Sequence, residues 1–207
     1  MITKPIDLRA DIGEVLLDEV AIQAKILELG AQISADHTDR PLTLVSVLKG
    51  SLPFMADLMR AISVPLRIDL MEVSSYGGTG TESSGLVRIL KDLSASIEGE
   101  DVLIVEDIID TGLTLNYLLR YLRGKNPRSL EICTLLDKPA RRLVDIPVNY
   151  IGFTIPDQFV VGYGLDYGEY YRSYYGEGSS RKTRGAGNTP PLREVRPGPR
   201  PVRRPLR

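Results

Sequence analysis

The run Asp101-Val102-Leu103-Ile104-Val105-Glu106-Asp107-Ile108-Ile109-Asp110-Thr111-Gly112-Leu113-Thr114-Leu115 constrains this chain more than any other stretch. Val102, Leu103, Ile104 and Val105 are an unbroken apolar run with β-branched bias. Such a run suits a parallel strand buried on both faces better than an alternating surface strand. Glu106 and Asp107 stand where that strand would end, and ligands bind at the carboxyl ends of strands in open α/β sheets. Asp110 to Thr114 then lead into the helical pattern Leu115, Leu118, Leu119, Leu122. A helix start with Gly and Thr offers free N–H groups and hydroxyls, which together cradle phosphate. Carboxylates repel phosphate but accept hydrogen bonds, so Glu106 and Asp107 suit sugar hydroxyls or a bridging Mg²⁺. The string as a whole fits a phosphorylated pentose lying along a strand end. A plain βα unit with exposed carboxylates would explain one acidic residue, but not all of these.

The remaining chain repeats the βα rhythm. Residues 15–33 carry Leu16, Val20, Ile26, Leu27 and Ile33 at helical spacing, with Gly30 near the end, and read as an N-terminal amphipathic helix. Residues 42–48 are a second apolar strand, followed by Lys49-Gly50-Ser51 and the helical pattern Leu52, Phe54, Met55, Leu58, Met59, Ile62. Leu48-Lys49-Gly50 therefore also lies at a strand's carboxyl end; on spacing alone it is equally a tight turn with an exposed lysine. Residues 66–73 and 86–90 read as strands around the small, polar, glycine-rich segment 74–85, a length that is functional or mobile in compact domains. An idle hairpin tip is the other reading. Residues 129–136 and 150–153 are further strands. The expected fold is α/β: a doubly wound, mostly parallel sheet flanked by helices, with a small hood from the N-terminal segment and residues 150–175.

Composition narrows the chemistry. A single cysteine excludes a disulfide framework and makes a reducing cytoplasm the default. Cys133, inside an apolar strand, reads as a small buried hydrophobe. One histidine, His37, in a polar stretch leaves no basis for a Ser–His–Asp triad or a His-based metal site. No apolar run approaches a membrane span, and the N-terminus lacks a signal-like apolar core. Net charge is −1 but uneven: residues 176–207 hold nine Lys/Arg and two Glu (9 − 2 = +7), and residues 1–175 hold 17 and 25 (17 − 25 = −8). The Pro/Gly/Arg-rich segment 176–207 is expected to be a disordered basic tail outside a domain of residues 1–175, with at most weak nucleic-acid binding.

Val102 to Leu115 resembles the phosphoribosyl diphosphate (PRPP) motif of type I phosphoribosyltransferases, most closely the hypoxanthine-guanine members. The same VLIVED opens receiver domains, but a receiver begins with this strand, and here about half the chain precedes it. The strand at residues 130–136 also reaches Asp137-Lys138 too early for a receiver. Leu48-Lys49-Gly50 resembles the family's pyrophosphate loop, which implies a cis bond between Leu48 and Lys49. Ser75-Tyr76 matches the family's lid, and Ile155 to Arg172 resembles its base-recognition segment. The resemblance covers roughly residues 5–175, with three motifs in order.

That resemblance implies a Mg²⁺-dependent transfer of ribose 5-phosphate from PRPP to a 6-oxopurine. It implies that Glu106 and Asp107 hold the ribose hydroxyls and metal, and that Asp110 handles the purine N7 proton. Asp110, Thr111, Gly112, Leu113 and Thr114 would bind the 5′-phosphate, and Lys49, Gly50 and Arg172 the pyrophosphate. Phe159 would stack on the base, the Val160 backbone would read its edge, and Asp166 would serve a second metal. Lys138 would donate to the 6-oxo group; an ammonium is donor-only and cannot satisfy adenine's amino group. Dimers or tetramers are implied as the assembly. A PRPP-sensing, nucleic-acid-binding regulator on the same fold is the alternative.

Overall fold

The computed structural model describes residues 12–76, 86–175 and 177–180. Its centre is a six-stranded sheet. The strands are β2 (Leu42–Leu48), β3 (Leu66–Tyr76), β4 (Leu86–Lys91), β5 (Asp101–Ile109), β6 (Ser129–Asp137) and β7 (Tyr150–Thr154). Their order is β4-β3-β2-β5-β6-β7, parallel throughout except for the antiparallel β3–β4 pair at one edge. Strand β1 (Ile12–Leu17) lies outside this sheet. The expected doubly wound α/β sheet is what forms.

Strand β5 is central because its apolar residues feed two cores. Leu103 and Val105 pack with α1 (Glu19–Asp36) and α2 (Leu52–Ala61), against Ile26, Leu29, Ile33, Phe54 and Leu58. Val102 and Ile104 pack on the other face with Leu115, Leu118, Leu119 and Leu122 of α3 (Leu113–Arg123). All four are essentially fully buried, each contributing roughly 1.5–3 kcal/mol as an upper bound. Cys133, on β6, is buried in the first core, and burial pushes its thiol pKa up, so it is inert packing.

The N-terminal helix starts later than its periodicity suggests. Val15 and Leu16 belong to β1, and Asp18 caps α1 by accepting the Ala21 N–H at 2.8 Å. From that start the inward face is Ile22, Ile26, Leu29, Gly30 and Ile33, while Val20 and Leu27 are 76% and 64% exposed. Gly30 is needed where α1 crosses α2, because a Cβ there would meet Ala61 Cβ at 2.6 Å.

A second, three-stranded sheet forms the hood: β1, β9 (Glu177–Ser180) and β8 (Val160–Val161), in the order β1-β9-β8. Strand β9 lies past residue 175, where the folded domain was expected to end, so the expected tail contributes a strand. Its stability comes from pairing with β1 and β8, partners that local composition does not reveal. Residues 150–154, expected in the hood, are the edge strand of the main sheet instead. The rest of the expected tail and residues 77–85 of the 74–85 segment fall outside the described residues.

Candidate active site

The sheet order reverses between β2 and β5. The chain winds outward from β2 through α2 to β3, and from β5 through α3 to β6, on opposite faces. At such a switch point the loops diverge and leave a crevice at the carboxyl ends. The loops there are Lys49-Gly50 after β2 and Asp110-Thr111-Gly112 after β5. Leu48–Lys49 is a cis peptide bond. The turn is anchored by Ser51, which is fully buried, accepts from Ser46 Oγ at 2.5 Å and donates to the Val47 carbonyl. A Cβ on Gly50 would stand 1.9 Å from Asp107 Oδ2, so only glycine lets this turn meet the end of β5.

The second loop forms the floor of a cleft of about 210 Å³ lined by Glu106, Asp110, Thr111, Gly112, Thr114 and the apolar Val47, Ile108, Ile109 and Leu115. Gly112 takes φ +80° to start α3, and a Cβ would meet Ile146 at 2.9 Å and Val144 at 3.1 Å. Where Asp18 caps α1, the N-cap of α3 is Gly112, which has no side chain to offer, and only Thr111 Oγ1 accepts from the Leu113 N–H, at 3.4 Å. The first N–H groups of α3 lie at the cleft, where an anion would complete the helix.

Glu106 and Asp107 are crowded rather than neutralised. Burial, with Asp107's charge added, pushes Glu106 well above the usual carboxylate range. Burial also raises Asp107 to about 6, although the Ile108 N–H (2.9 Å) and the Arg172 charge oppose it; Asp166 adds to the rise. Two adjacent hard-oxygen donors that resist ionisation suit a cation supplied with the ligand. Mg²⁺ fits this donor set, since it takes one or two carboxylates and completes its shell with water and substrate phosphates. The described residues hold no group of three or more His, Cys, Asp or Glu side chains able to cage a metal.

The hood closes over the other side. Gly164, at φ +102°, packs where a Cβ would lie 1.8 Å from the Gly50 carbonyl oxygen. Arg172 donates to the Gly164 carbonyl at 2.7 Å and pairs with Asp166 at 2.7 Å and Glu169 at 3.0 Å. Lys49 pairs with Glu169 at 2.7 Å. The loop of Lys49 and Gly50 and the segment of Asp166 and Arg172 thus converge, with Glu169 between the two cations. Asp57 on α2 fastens the hood, accepting from Tyr163 at 2.6 Å and Tyr175 at 3.3 Å.

The base-segment residues lie on the same rim. Lys138 directly follows β6, only 6% exposed, and its N–H bonds to the Ile109 carbonyl at 3.0 Å beside Asp110. Val160 is buried in β8, whereas Phe159 is 43% exposed, with Tyr167 edge-on at 5.8 Å. Ser75 and Tyr76 end β3, and most of the expected lid lies outside the described residues. Arg141 escaped sequence reasoning: its Nε is 2.8 Å from Asp110 Oδ1. Glu169, inside the Ile155–Arg172 segment, was not singled out by the sequence either. The signal for it was present in Lys49 and Arg172, two cations needing a carboxylate in the free protein.

The comparisons with known proteins agree with this geometry. The phosphoribosyl transferase domain family matches residues 14–168. A hypoxanthine-guanine phosphoribosyltransferase of Bacillus subtilis (strain 168) is 52% identical over 166 residues, 80% of this chain and 92% of that protein. One from Staphylococcus epidermidis (strain ATCC 12228 / FDA PCI 1200) is 57% identical over the same shares. The crystal structure of a Staphylococcus aureus hypoxanthine phosphoribosyltransferase superposes with a TM-score of 0.82 at 51% identity, covering 87% of this chain and 97% of that one. With a glycine-started helix, paired carboxylates and a lysine–glycine turn at one switch point, this chain belongs to the hypoxanthine-guanine phosphoribosyltransferases of the phosphoribosyl transferase domain family.

Proposed function

We propose that this chain is a purine salvage enzyme that transfers ribose 5-phosphate from PRPP to N9 of hypoxanthine or guanine, giving IMP or GMP and pyrophosphate. One observation carries the reading: the glycine start of α3, the Glu106–Asp107 pair and the Lys49-Gly50 turn meet at a single switch point. The comparisons give the nucleic-acid-binding regulator no support.

Each residue then has a task. The N–H groups and hydroxyls from Asp110 to Thr114 hold the 5′-phosphate, and Glu106 and Asp107 accept from the ribose hydroxyls. Lys49, the Gly50 N–H and Arg172 bind the pyrophosphate. The Lys49–Glu169 pair is substantially exposed, at 59% and 63%, and Glu169 is equally open where it meets the less exposed Arg172. Such pairs are worth about 1 kcal/mol or less, so the exchange for a multiply charged ligand is easy. Glu106 and Asp107 would hold one Mg²⁺ and Asp166 a second, whose contribution when bound would be neutralisation of the departing pyrophosphate. Phe159 stacks on the purine while the Val160 backbone reads its edge. Asp110 manages the N7 proton and Lys138 donates to the 6-oxo group. Ser75 and Tyr76 close over the site to exclude water from the oxocarbenium-like state.

No helix among the described residues is long and apolar enough to cross a membrane; we place the enzyme in the cytoplasm as a homodimer or homotetramer. Pyrophosphate release with PRPP, Mg²⁺ and a panel of bases tests the activity, and silence with every 6-oxopurine would end this reading. Base choice is tested through Lys138→Gln. A donor facing adenine's amino group leaves one group unpaired, at about 1–3 kcal/mol or more. The ratio of kcat/KM for hypoxanthine over adenine should therefore fall by about 10-fold or more. A ratio that stays put means the 6-position is read elsewhere.

A further inference from the structure

Asp110 lies beyond the end of β5, and its carboxylate is met by one cation. Arg141 Nε stands 2.8 Å from Oδ1, an oxygen sealed from solvent that accepts no aligned hydrogen bond from the described residues. The contact is thus an ion pair whose geometry is set by where the two side chains are anchored. Asp110's side chain is nevertheless 43% exposed, so its open surface lies away from Oδ1, along the cleft it lines.

Arg141 is held in place by a short, well-bonded segment. It closes the 3-10 turn Pro139–Arg141, directly after Lys138. The Lys138 N–H donates to the Ile109 carbonyl at 3.0 Å, and the Leu143 N–H to the Thr111 carbonyl at 3.0 Å. The backbone on both sides of Arg141 is therefore bonded to the residues on both sides of Asp110. On its far side, Arg141 Nη1 lies 3.7 Å from Asp157 Oδ1, two residues before Phe159. Arg142, the neighbouring arginine, turns away to pair with Asp137.

We propose that Arg141 is a positioning residue for the purine: it holds Asp110 by Oδ1 so that the other oxygen faces the base, and it ties that carboxylate to the base-binding segment through Asp157. This rests on the reading of Asp110 as the N7 carboxylate. A carboxylate has acceptor sites on both oxygens, so the guanidinium and N7–H can be served together. Without Arg141, Oδ1 loses the guanidinium that covers it, and the carboxylate is free to rotate into water. Orientation at the reacting centre is then lost although every substrate-touching residue remains. The planar fork matters because Nε and Nη1 face two different carboxylates; a lysine keeps the charge but can follow only one.

The test is a cycle of Arg141→Gln, Arg141→Lys, Asp110→Asn and the Arg141→Gln/Asp110→Asn double variant, with kcat and both KM values measured. Arg141→Gln should lower kcat about 10-fold and raise the KM for hypoxanthine, with the KM for PRPP within twofold of the parent. Arg141→Lys should recover part of the loss. In the Asp110→Asn background, Arg141→Gln should add less than a twofold effect. A loss of equal size in that background would show that Arg141 merely bolts its turn, and would overturn the inference. So would a folded Arg141→Gln protein with parental kinetics. If the Gln variant does not fold, Arg141→Lys replaces it throughout the cycle with the same criterion. Parental rates for Asp110→Asn sink the reading of Asp110 itself and the inference with it. Failure confined to the Arg141 variants leaves that reading standing.

Discussion

The two ends of β5 carry the same kind of side chain in opposite conditions. At the amino end, Asp101 is fully buried and fully served: Arg128 donates from Nε at 2.9 Å and Nη2 at 2.6 Å, and Ser129 Oγ donates at 2.8 Å. Arg128's fork above all, with Ser129 and the charges of Arg128 and Arg40 acting against burial, holds Asp101 down to about 2. At the carboxyl end, Glu106 and Asp107 have no ion-pair partner among the described residues, and burial drives both pKa values up, Asp107 to about 6. The comparison separates two uses of a carboxylate. Asp101 is satisfied by the fold and stabilises it. Glu106 and Asp107 are left for something the fold lacks, and the free protein is less stable for it.

The sharpest way to break this contrast is to remove the charges at the carboxyl end. Glu106→Gln with Asp107→Asn should weaken Mg²⁺-dependent PRPP binding by about 100-fold or more, while the melting temperature rises. Relief of the Asp107 shift alone is worth about 1–3 kcal/mol at neutral pH, or about 2–4 °C per kcal/mol at this chain length. Calorimetry with PRPP and Mg²⁺, together with thermal melts, checks both halves. Unchanged affinity in the folded double variant would remove the pair from the site. A fall in stability would show that the crowding is relieved in a way the geometry does not display.

The opposite change belongs at the other end. Asp101→Asn leaves the Arg128 fork with half its acceptor and should cost about 1–3 kcal/mol. The kcat should stay near the parental value, because Asp101 sits a full strand length from the cleft. Chemical denaturation and steady-state kinetics on one preparation would settle this, and a large kcat defect would mean that the strand's register is not fixed independently at its two ends.

The two ends also predict opposite pH slopes. Asp101 is depressed in the fold, so its stabilisation is present above its ordinary value near 3.8 and is lost as pH falls towards 2. Asp107 is raised, so its favourable contribution is present below 3.8 and is lost as pH rises through about 6. Stability of the ligand-free protein should therefore decline between pH 4 and 6.5 by about 1–3 kcal/mol, before other groups are counted. That decline should vanish in the Glu106/Asp107 double variant and persist in Asp101→Asn. Its persistence in the double variant would assign the slope to other groups.

What the sequence disclosed follows the same division. Strand β5 was legible because burial on both faces leaves no period to misread, and Glu106, Asp107 and the Gly112 turn fall where such a strand must end. Lys49-Gly50 was legible only as a turn; its contact with Asp107 depends on β2 and β5 being neighbours, which no local pattern states. The start of α1 was misplaced because Val15 and Leu16 continue a helical period as readily as they form a strand, although Asp18 was there to be read as a cap. Arg141 was hidden for a physical reason. Arg141 and Arg142 are equivalent in sequence, and only the 3-10 turn decides which faces Asp110 and which Asp137.

The smallest expected effect tests how far the hood matters to the carboxyl end alone. Strand β9 is the partner of β1 and pairs with β8 through Val160–Ser179 and Val161–Gly178. It therefore steadies the segment that presents Phe159 and Val160, while the Tyr163 N–H bond to the Tyr174 carbonyl (2.7 Å), outside β9, holds the turn that brings Gly164 to Gly50. A chain ending at Ser180 keeps the β9 pairings, whereas one ending at Tyr175 loses them and retains only the Tyr163–Tyr174 bond. The first should match the full chain in melting temperature and kinetics. The second should show a KM for PRPP and base raised a few-fold with a loss of only a few degrees, because what it loses is the backbone pairing of one four-residue strand at the hood. The amino end of β5, anchored by Arg128 far from the hood, should keep its protection against hydrogen exchange in both truncations. Equal kinetics for the two truncations would show that β1 and β8 hold the hood without β9. A collapse of exchange protection around Asp101 in the shorter chain would show that the two ends of the strand are one cooperative unit, and the contrast drawn between them would then be confined to charge.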